Sequence, residues 1–345
     1  MSKKIAVAMS GGVDSGVAAA LLVKQGHRCT GFHLRLCQNN SGLEFAQKTA
    51  QKLGIPFLTI DFRGVFQKKV IDYFLQAYAV GLTPNPCVRC NQLIKFGKLW
   101  DLVQKQEFDF LATGHYARVR DQRLFQAKDK SKDQSYFLYN LTPQKLAKIL
   151  FPVGDYSKKE VRLKAKEWRL SVARRPESQE ICFLPESDYR PFLRGRVAEK
   201  IIPGEVVDTQ GRKIGCHEGL PLYTLGQRHG FEVTDPKAIG PFYVIHKDID
   251  NNILIVGFGR ETEKKEFLVK EVNWINQPKV SRLKCQVKIR HQGELLDCQL
   301  IVQKTEGMVR VNLTEPERGI APGQSAVFYQ GEEVLGGGII NLDNQ

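Results

Sequence analysis

The chain predicts an α/β fold, a doubly wound and mainly parallel sheet, followed by a β-rich second half. Two observations carry this. Short apolar runs alternate with amphipathic stretches of 10 to 15 residues in the first part, and after about residue 195 helical periodicity gives way to short alternating runs with recurrent Gly and Pro. Ile5–Met9 reads as a buried strand, Val13–Gln25 as a helix and Arg28–Leu34 as a second strand. A helix over Leu43–Leu53, a strand over Phe57–Ile60, a helix over Val65–Ala79 and a strand over Phe108–Ala112 continue the order. Phe242–Lys247, Ile253–Val256, Leu283–Arg290 and Ser325–Tyr329 are the clearest later strands. Three regions are expected, 1–195, 196–260 and 261–345.

At 345 residues the chain is long for a single core. Its 42% apolar and 26% charged residues are those of a folded protein without large disordered tracts. Lys and Arg total 51 against 37 acidic residues, a formal charge of +14, which favours polyanions and nucleic acid first. Two segments concentrate that charge. Ser157 to Arg175 holds eight Lys or Arg and two Glu, readable as a solvated helix face or an RNA contact. From Arg282 to Arg290 the odd positions are apolar, and the even ones place four positive charges on one strand face, a pattern suited to phosphates. No stretch suits a signal peptide or a bilayer span, so a cytoplasmic protein is expected.

Met9-Ser10-Gly11-Gly12-Val13-Asp14-Ser15 joins the first strand to the first helix. Consecutive glycines let backbone N–H groups converge on an anion, and the helix start adds partial positive charge. The string matches neither the Walker A loop nor the dinucleotide fingerprint. It resembles the pyrophosphate loop of the ATP pyrophosphatase (PP-loop) superfamily, whose members cleave ATP between the α and β phosphates.

There are eight cysteines, at 29, 37, 87, 90, 182, 216, 285 and 298, and without secretion a disulfide framework is not expected. Cys87 and Cys90 close the segment Thr83-Pro84-Asn85-Pro86-Cys87-Val88-Arg89-Cys90-Asn91, whose two prolines argue against a helix. One Cys-x-x-Cys is half a zinc site, and no second pair completes it. Cys182, in Glu180-Ile181-Cys182-Phe183, follows basic residues that would favour its thiolate.

With these cysteines the chain resembles the tRNA-specific 2-thiouridylase (MnmA) family nearly end to end. The resemblance runs through Ser10–Ser15, Thr83–Asn91, Ile94-Lys95-Phe96-Gly97, Ala112–Tyr116 and Lys132–Leu138. It continues through Phe151–Gly154, the Cys182 segment, Thr224–Arg228, Ala321–Tyr329 and Leu335–Ile340. It implies an N-terminal ATP pyrophosphatase domain, a small central domain and a C-terminal β-barrel that helps grip an anticodon stem. It places Ala8, Met9, Ser10, Gly11, Gly12, Val13, Asp14, Ser15, Leu34 and Gly114 at ATP. It places Asn85, Pro86, Cys87, His115, Lys132, Asp133, Gln134, Arg290, His291 and Gln324 at tRNA. Arg290 also lies on the basic strand face.

The implied reaction uses ATP and Mg2+ to adenylate the O2 of wobble uridine 34, after which sulfur displaces AMP. Cys182 would carry the sulfur as a persulfide with Cys90 as its partner, the sulfur coming from a cysteine desulfurase or a relay protein, and the tRNAs being those for Glu, Gln and Lys. Many members carry Asp where this chain has Cys87, so Cys87, Cys90 and Cys182 could instead hold a [4Fe–4S] cluster with one open iron. The remaining five cysteines match no motif and are expected to pack in the core. Two other readings stay open: a PP-loop thiolase or synthetase acting on a different substrate, and a non-catalytic RNA-binding protein.

Overall fold

The computed structural model describes residues 1–38, 42–176, 181–184, 188–236, 240–303 and 307–342. The first part holds a parallel sheet of β1 (Lys4–Ala8), β2 (Arg28–Arg35), β3 (Phe57–Asp61), β4 (Phe110–Ala112) and β7 (Ile149–Leu150), in the order β3-β2-β1-β4-β7. Ile5, Ala6 and Val7 of β1 are all buried, as a central strand covered on both faces requires. Strand order reverses at β1, which pairs with β2 on one side and β4 on the other. Ligands of such sheets bind beyond the carboxyl ends at this switch point. Helix α1 (Val13–Lys24) starts there, and its small residues Gly16, Ala18, Ala19 and Ala20 allow it to be buried on nearly every side.

One expected helix differs in detail, and one segment expected not to be helical is corrected. The stretch read as Val65–Ala79 is Arg63–Phe66 and Asp72–Ala79 joined by a π-helical turn, Gln67–Ile71. The segment with two prolines does contain a helix, Pro86–Cys90. Pro86 occupies its first position, where an N–H would lack a partner anyway, and the Asn85 side chain caps it by accepting from Val88 N at 3.2 Å. The helix continues as a π-helical run, Asn91–Leu99.

The second half follows the β-rich expectation. Strands β8 (Gly204–Val207), β9 (Lys213–His217), β10 (Glu232–Val233), β11 (Tyr243–Asp248) and β12 (Ile253–Gly257) form a central sheet ordered β10-β9-β8-β12-β11. Then β13 (Glu263–Trp274), β14 (Arg282–Lys288), β15 (Leu296–Gln303), β16 (Met308–Arg318), β17 (Ser325–Gln330) and β18 (Glu333–Asn341) run antiparallel and close through β13–β18 into a six-stranded barrel. A hairpin of the first part, β5 (Ala117–Arg120) and β6 (Arg123–Gln126), extends the barrel sheet, with Val334 opposite Leu124.

Shared cores join the three parts. Leu111, Leu124, Tyr136 and Phe151 pack with Val327, Tyr329 and Val334 of the barrel. Phe66, Phe74, Cys90 and Ile94 pack with Val206, Val244 and Leu254 of the central sheet. Among the described residues no helix is long and apolar enough to cross a membrane.

Candidate functional site

The loop after β1 is shaped by close backbone approaches. Gly11 has φ +81°, and a Cβ there would stand 2.0 Å from the Gly42 carbonyl oxygen. Gly12 precedes α1 with no side-chain cap, which leaves the first amides of the helix open to an anion. Ser15 Oγ donates to the Gly12 carbonyl at 3.1 Å and accepts from Ser10 N at 3.2 Å, and Gly12 N donates to Ser10 Oγ at 3.3 Å. Arg175 Nη1 donates to the Gly11 carbonyl at 2.7 Å. The loop is therefore held from both sides before any ligand arrives.

Asp14 is not directed at solvent. Lys158 Nζ lies 2.7 and 2.8 Å from its two carboxylate oxygens, and Tyr116 OH donates to Oδ1 at 2.8 Å. This settles part of the basic segment. The helix there is Lys158–Glu167, opened by a Ser157–Glu160 capping box, and its first lysine points inward to the loop. Lys164 lies over the Tyr156 and Trp168 rings, so that cation is also engaged.

Leu34 and Gly114 complete the expected nucleotide residues. Leu34, next to the end of β2, is half-buried against two core clusters. Gly114 follows β4, and a Cβ there would stand 2.5 Å from Ser15 N. Only glycine lets this segment back onto the loop. Its neighbours face the other way. His115 packs by Phe96 and Phe151 and lies 3.4 Å from Lys95 Nζ through Nε2. An ammonium only donates, so Nε2 accepts and Nδ1 carries the proton to Thr113 Oγ1 at 2.7 Å. Burial first, then the Lys95 charge, hold the His115 pKa well below the ordinary imidazole range, so the ring is neutral.

Lys95 is where the nucleotide side meets the thiols. The π-helical run pairs residues five apart, which brings Lys95 one turn beyond Cys90. Its charge reaches Cys87, Cys90 and Cys182 and lowers the pKa of each. Burial works against it and prevails. The Cys87 thiol is pushed up, and the Cys90 thiol is pushed up to about 11. The Cys182 thiol is pushed up to about 12 by the protein packed around it, then by the neighbouring Cys90, Cys87 and Cys37. Cys182 is nevertheless open to solvent, whereas Cys90 is only 7% exposed. The expectation that basic residues before Cys182 favour its thiolate is corrected: the cation near this thiol is Lys95, five residues beyond Cys90. Glu180 lies outside the described residues.

Cys37 also departs from expectation. It is not core packing but stands beside Cys182, whose carbonyl oxygen accepts from its thiol at 3.7 Å. Cys285 and Cys298 face each other across β14 and β15 with sulfurs 3.7 Å apart, Cys216 is exposed, and Cys29 is buried. Among the described residues no group of three or more His, Cys, Asp or Glu side chains is arranged to hold a metal ion.

The expected RNA-facing residues fall around the junction with the barrel. Thr83 N donates to the Pro322 carbonyl at 2.8 Å, which docks the cysteine segment on the Ala321–Gln324 turn. A cavity of about 290 Å³ beside it is lined by Thr83, Thr224, Arg290, Arg318 and Gln324. Arg290 is exposed at the rim and 3.5 Å from Glu317. His291 lies against Phe137 with ring centroids 4.2 Å apart, and burial pushes its pKa down to about 4. Asp133 is buried, accepting from Ala127 N and Ser135 Oγ at 2.8 Å, and Gln134 Oε1 accepts from Tyr116 N at 3.0 Å. Lys132, half-buried, begins this segment.

Residues 3–186 match the family model described as tRNA methyl transferase HUP domain, 190–258 the tRNA methyl transferase PRC-barrel domain, and 264–340 the aminomethyltransferase beta-barrel domain. The chain is 42% identical to the tRNA-specific 2-thiouridylase MnmA of Symbiobacterium thermophilum, over 99% of this chain and 92% of that one. It is 45% identical to the protein of that name from Chloroflexus aggregans, over 97% and 98%. The chain belongs to the tRNA-specific 2-thiouridylase (MnmA) family. Within this family member, Lys95, Cys37 and Lys158 are residues beside the expected site that sequence reasoning passed over. The Cys90-to-Lys95 spacing signals nothing unless the helix is known to be π-wound, and Cys37 comes to the site only through the course of β2.

Proposed function

We propose that the chain is a tRNA-uridine 2-sulfurtransferase that adenylates the O2 of uridine 34 and then replaces that oxygen with sulfur, releasing AMP and pyrophosphate. The observation that carries the reading is Thr113-Gly114-His115: Gly114 backs the nucleotide loop and His115 reaches the lysine beside the thiols. An activated base and a sulfur donor must meet within one site, and this tripeptide spans the two halves.

ATP would lie on Ala8 to Ser15 with Leu34 and Gly114 beside it, its phosphates on the open amides of α1. Magnesium would enter as the ATP complex and neutralise phosphate charge, since no protein group of three ligands is arranged for it among the described residues. Adenylation turns the C2 oxygen into a good leaving group. Cys182, the exposed thiol, would receive sulfur as a persulfide from a cysteine desulfurase or a relay protein, and the buried Cys90 would be its exchange partner. Cys87 would sit beside them and touch the target base with Asn85 and Pro86.

The anticodon stem-loop of tRNAs for Glu, Gln and Lys would rest on His115, Lys132, Gln134, Arg290, His291 and Gln324. Neutral His291 stacks rather than pairing with phosphate, and Asp133 shapes its loop from within. The working domain borders are 195 and 260, and the cytoplasm is the expected compartment.

The test supplies tRNA, ATP and a persulfide donor, and measures AMP, pyrophosphate and 2-thiouridine in digested tRNA. Wild type forms all three. Cys182→Ser releases pyrophosphate but leaves AMP on the base, with no 2-thiouridine. Thiolation away from position 34 would point to another PP-loop thiolase, and stoichiometric iron and sulfide in active protein would overturn the persulfide scheme.

A further inference from the structure

Leu36 leaves β2 and packs in the same apolar cluster as Ile181, Phe183 and buried Cys90. The residue that follows, Cys37, is thereby set against Cys182, whose carbonyl oxygen its thiol contacts at 3.7 Å. The three sulfurs are graded by access: Cys90 is buried, Cys37 half-buried and Cys182 exposed. Once a persulfide on Cys182 has given up its outer sulfur to Cys90 attack, the oxidising equivalents sit in a Cys90–Cys182 disulfide. One half of that bond is closed to any large reductant.

We propose that Cys37 is a second resolving thiol, which takes Cys182 over from Cys90 and moves the disulfide outward for reduction by a dithiol protein. The inference rests on the persulfide reading above. The Cys37 thiolate attacks Cys182 Sγ, a Cys37–Cys182 bond forms, the Cys90–Cys182 bond breaks, and its electron pair leaves on Cys90, which regains a proton. No net oxidation occurs in this exchange. The dithiol then attacks the new disulfide, supplies two electrons and two protons, and leaves oxidised as its own disulfide, with Cys37 and Cys182 both restored as thiols. Cys37 acts on Cys182 during turnover and does not touch the tRNA base.

The experiment runs one turnover with tRNA, ATP and a persulfide donor, without reductant, followed by acid quench, alkylation and peptide mapping. Wild type accumulates Cys37–Cys182, and Cys37→Ser accumulates Cys90–Cys182. In steady state with thioredoxin as the dithiol, Cys37→Ser turns over about tenfold more slowly than wild type, and dithiothreitol, small enough to enter, restores its rate. Cys216→Ser, exposed on the central sheet, behaves as wild type. Wild type holding only Cys90–Cys182, or a Cys37→Ser defect that dithiothreitol does not rescue, overturns the inference and leaves the persulfide reading intact. Absence of both a disulfide and a one-sulfur mass increment on Cys182 overturns both.

Discussion

The nucleotide loop and the thiol group lie on either side of Thr113-Gly114-His115 but are built in opposite ways. The loop comes from one contiguous string, and its polar groups already hold one another: Ser10 with Ser15, Asp14 with Lys158 and Tyr116, Arg175 with Gly11. The thiols come from three segments, at Cys37, Cys87–Cys90 and Cys182, each fifty or more residues from the next, and burial raises the pKa of Cys87, Cys90 and Cys182. The Cys182 thiol is pushed up by the protein packed around it and then by the neighbouring cysteines, so it is held as the thiol at pH 7. One half is preorganised. The other is held protonated by burial and by the crowding of its own thiols.

The largest effect that would break this contrast is in the loop. Gly114→Ala drives a methyl group against Ser15 N, and an ångström of displacement there should cut tRNA-dependent pyrophosphate release about 100-fold, read by a coupled phosphate assay. Lys158→Met leaves a partly buried Asp14 without its cation. It should lower stability by about 2 kcal/mol in urea titration, with Tyr116 still in place. Lys95→Met sharpens the other side. Wild-type alkylation of Cys182 by iodoacetamide should keep rising through about pH 10, because the pKa lies above that value. Removing the cation that favours thiolate should move the profile to still higher pH, and an unchanged profile would remove Lys95 from the site. The smallest effect is Arg290→Gln, expected to weaken tRNA binding evenly across sequences and reduce the salt slope by about one.

What was legible followed from local chemistry. The loop string, the parallel order of the first half and the basic strand face are each contained in a short window, and each appears in the folded chain. The barrel strand shows it in part: in β14 Val287 is buried while Arg282 and Lys284 are exposed, and Ile289 and Arg290 lie just beyond its end. What was missed depended on a neighbour in space. Prolines argue against a helix only until one of them is found at its first position, as Pro86 is. Lys158 reads as one more surface charge until Asp14 is placed opposite it. Cys37 carries no motif, and only the crossover from β2 to the Cys182 segment gives it a partner.

The pairing of β6 with β18 bears on how such a chain can have been assembled. Leu124 of the first part sits opposite Val334 of the last, and Tyr329 and Val334 lie in the same core as Leu111 and Phe151. The last eighty residues are thus packed into the first part as one structural unit. A chain ending near residue 260 would expose both a bare strand edge and an open apolar floor under the catalytic half. The barrel and the first part therefore depend on each other to cover their apolar surfaces, and the two should unfold together.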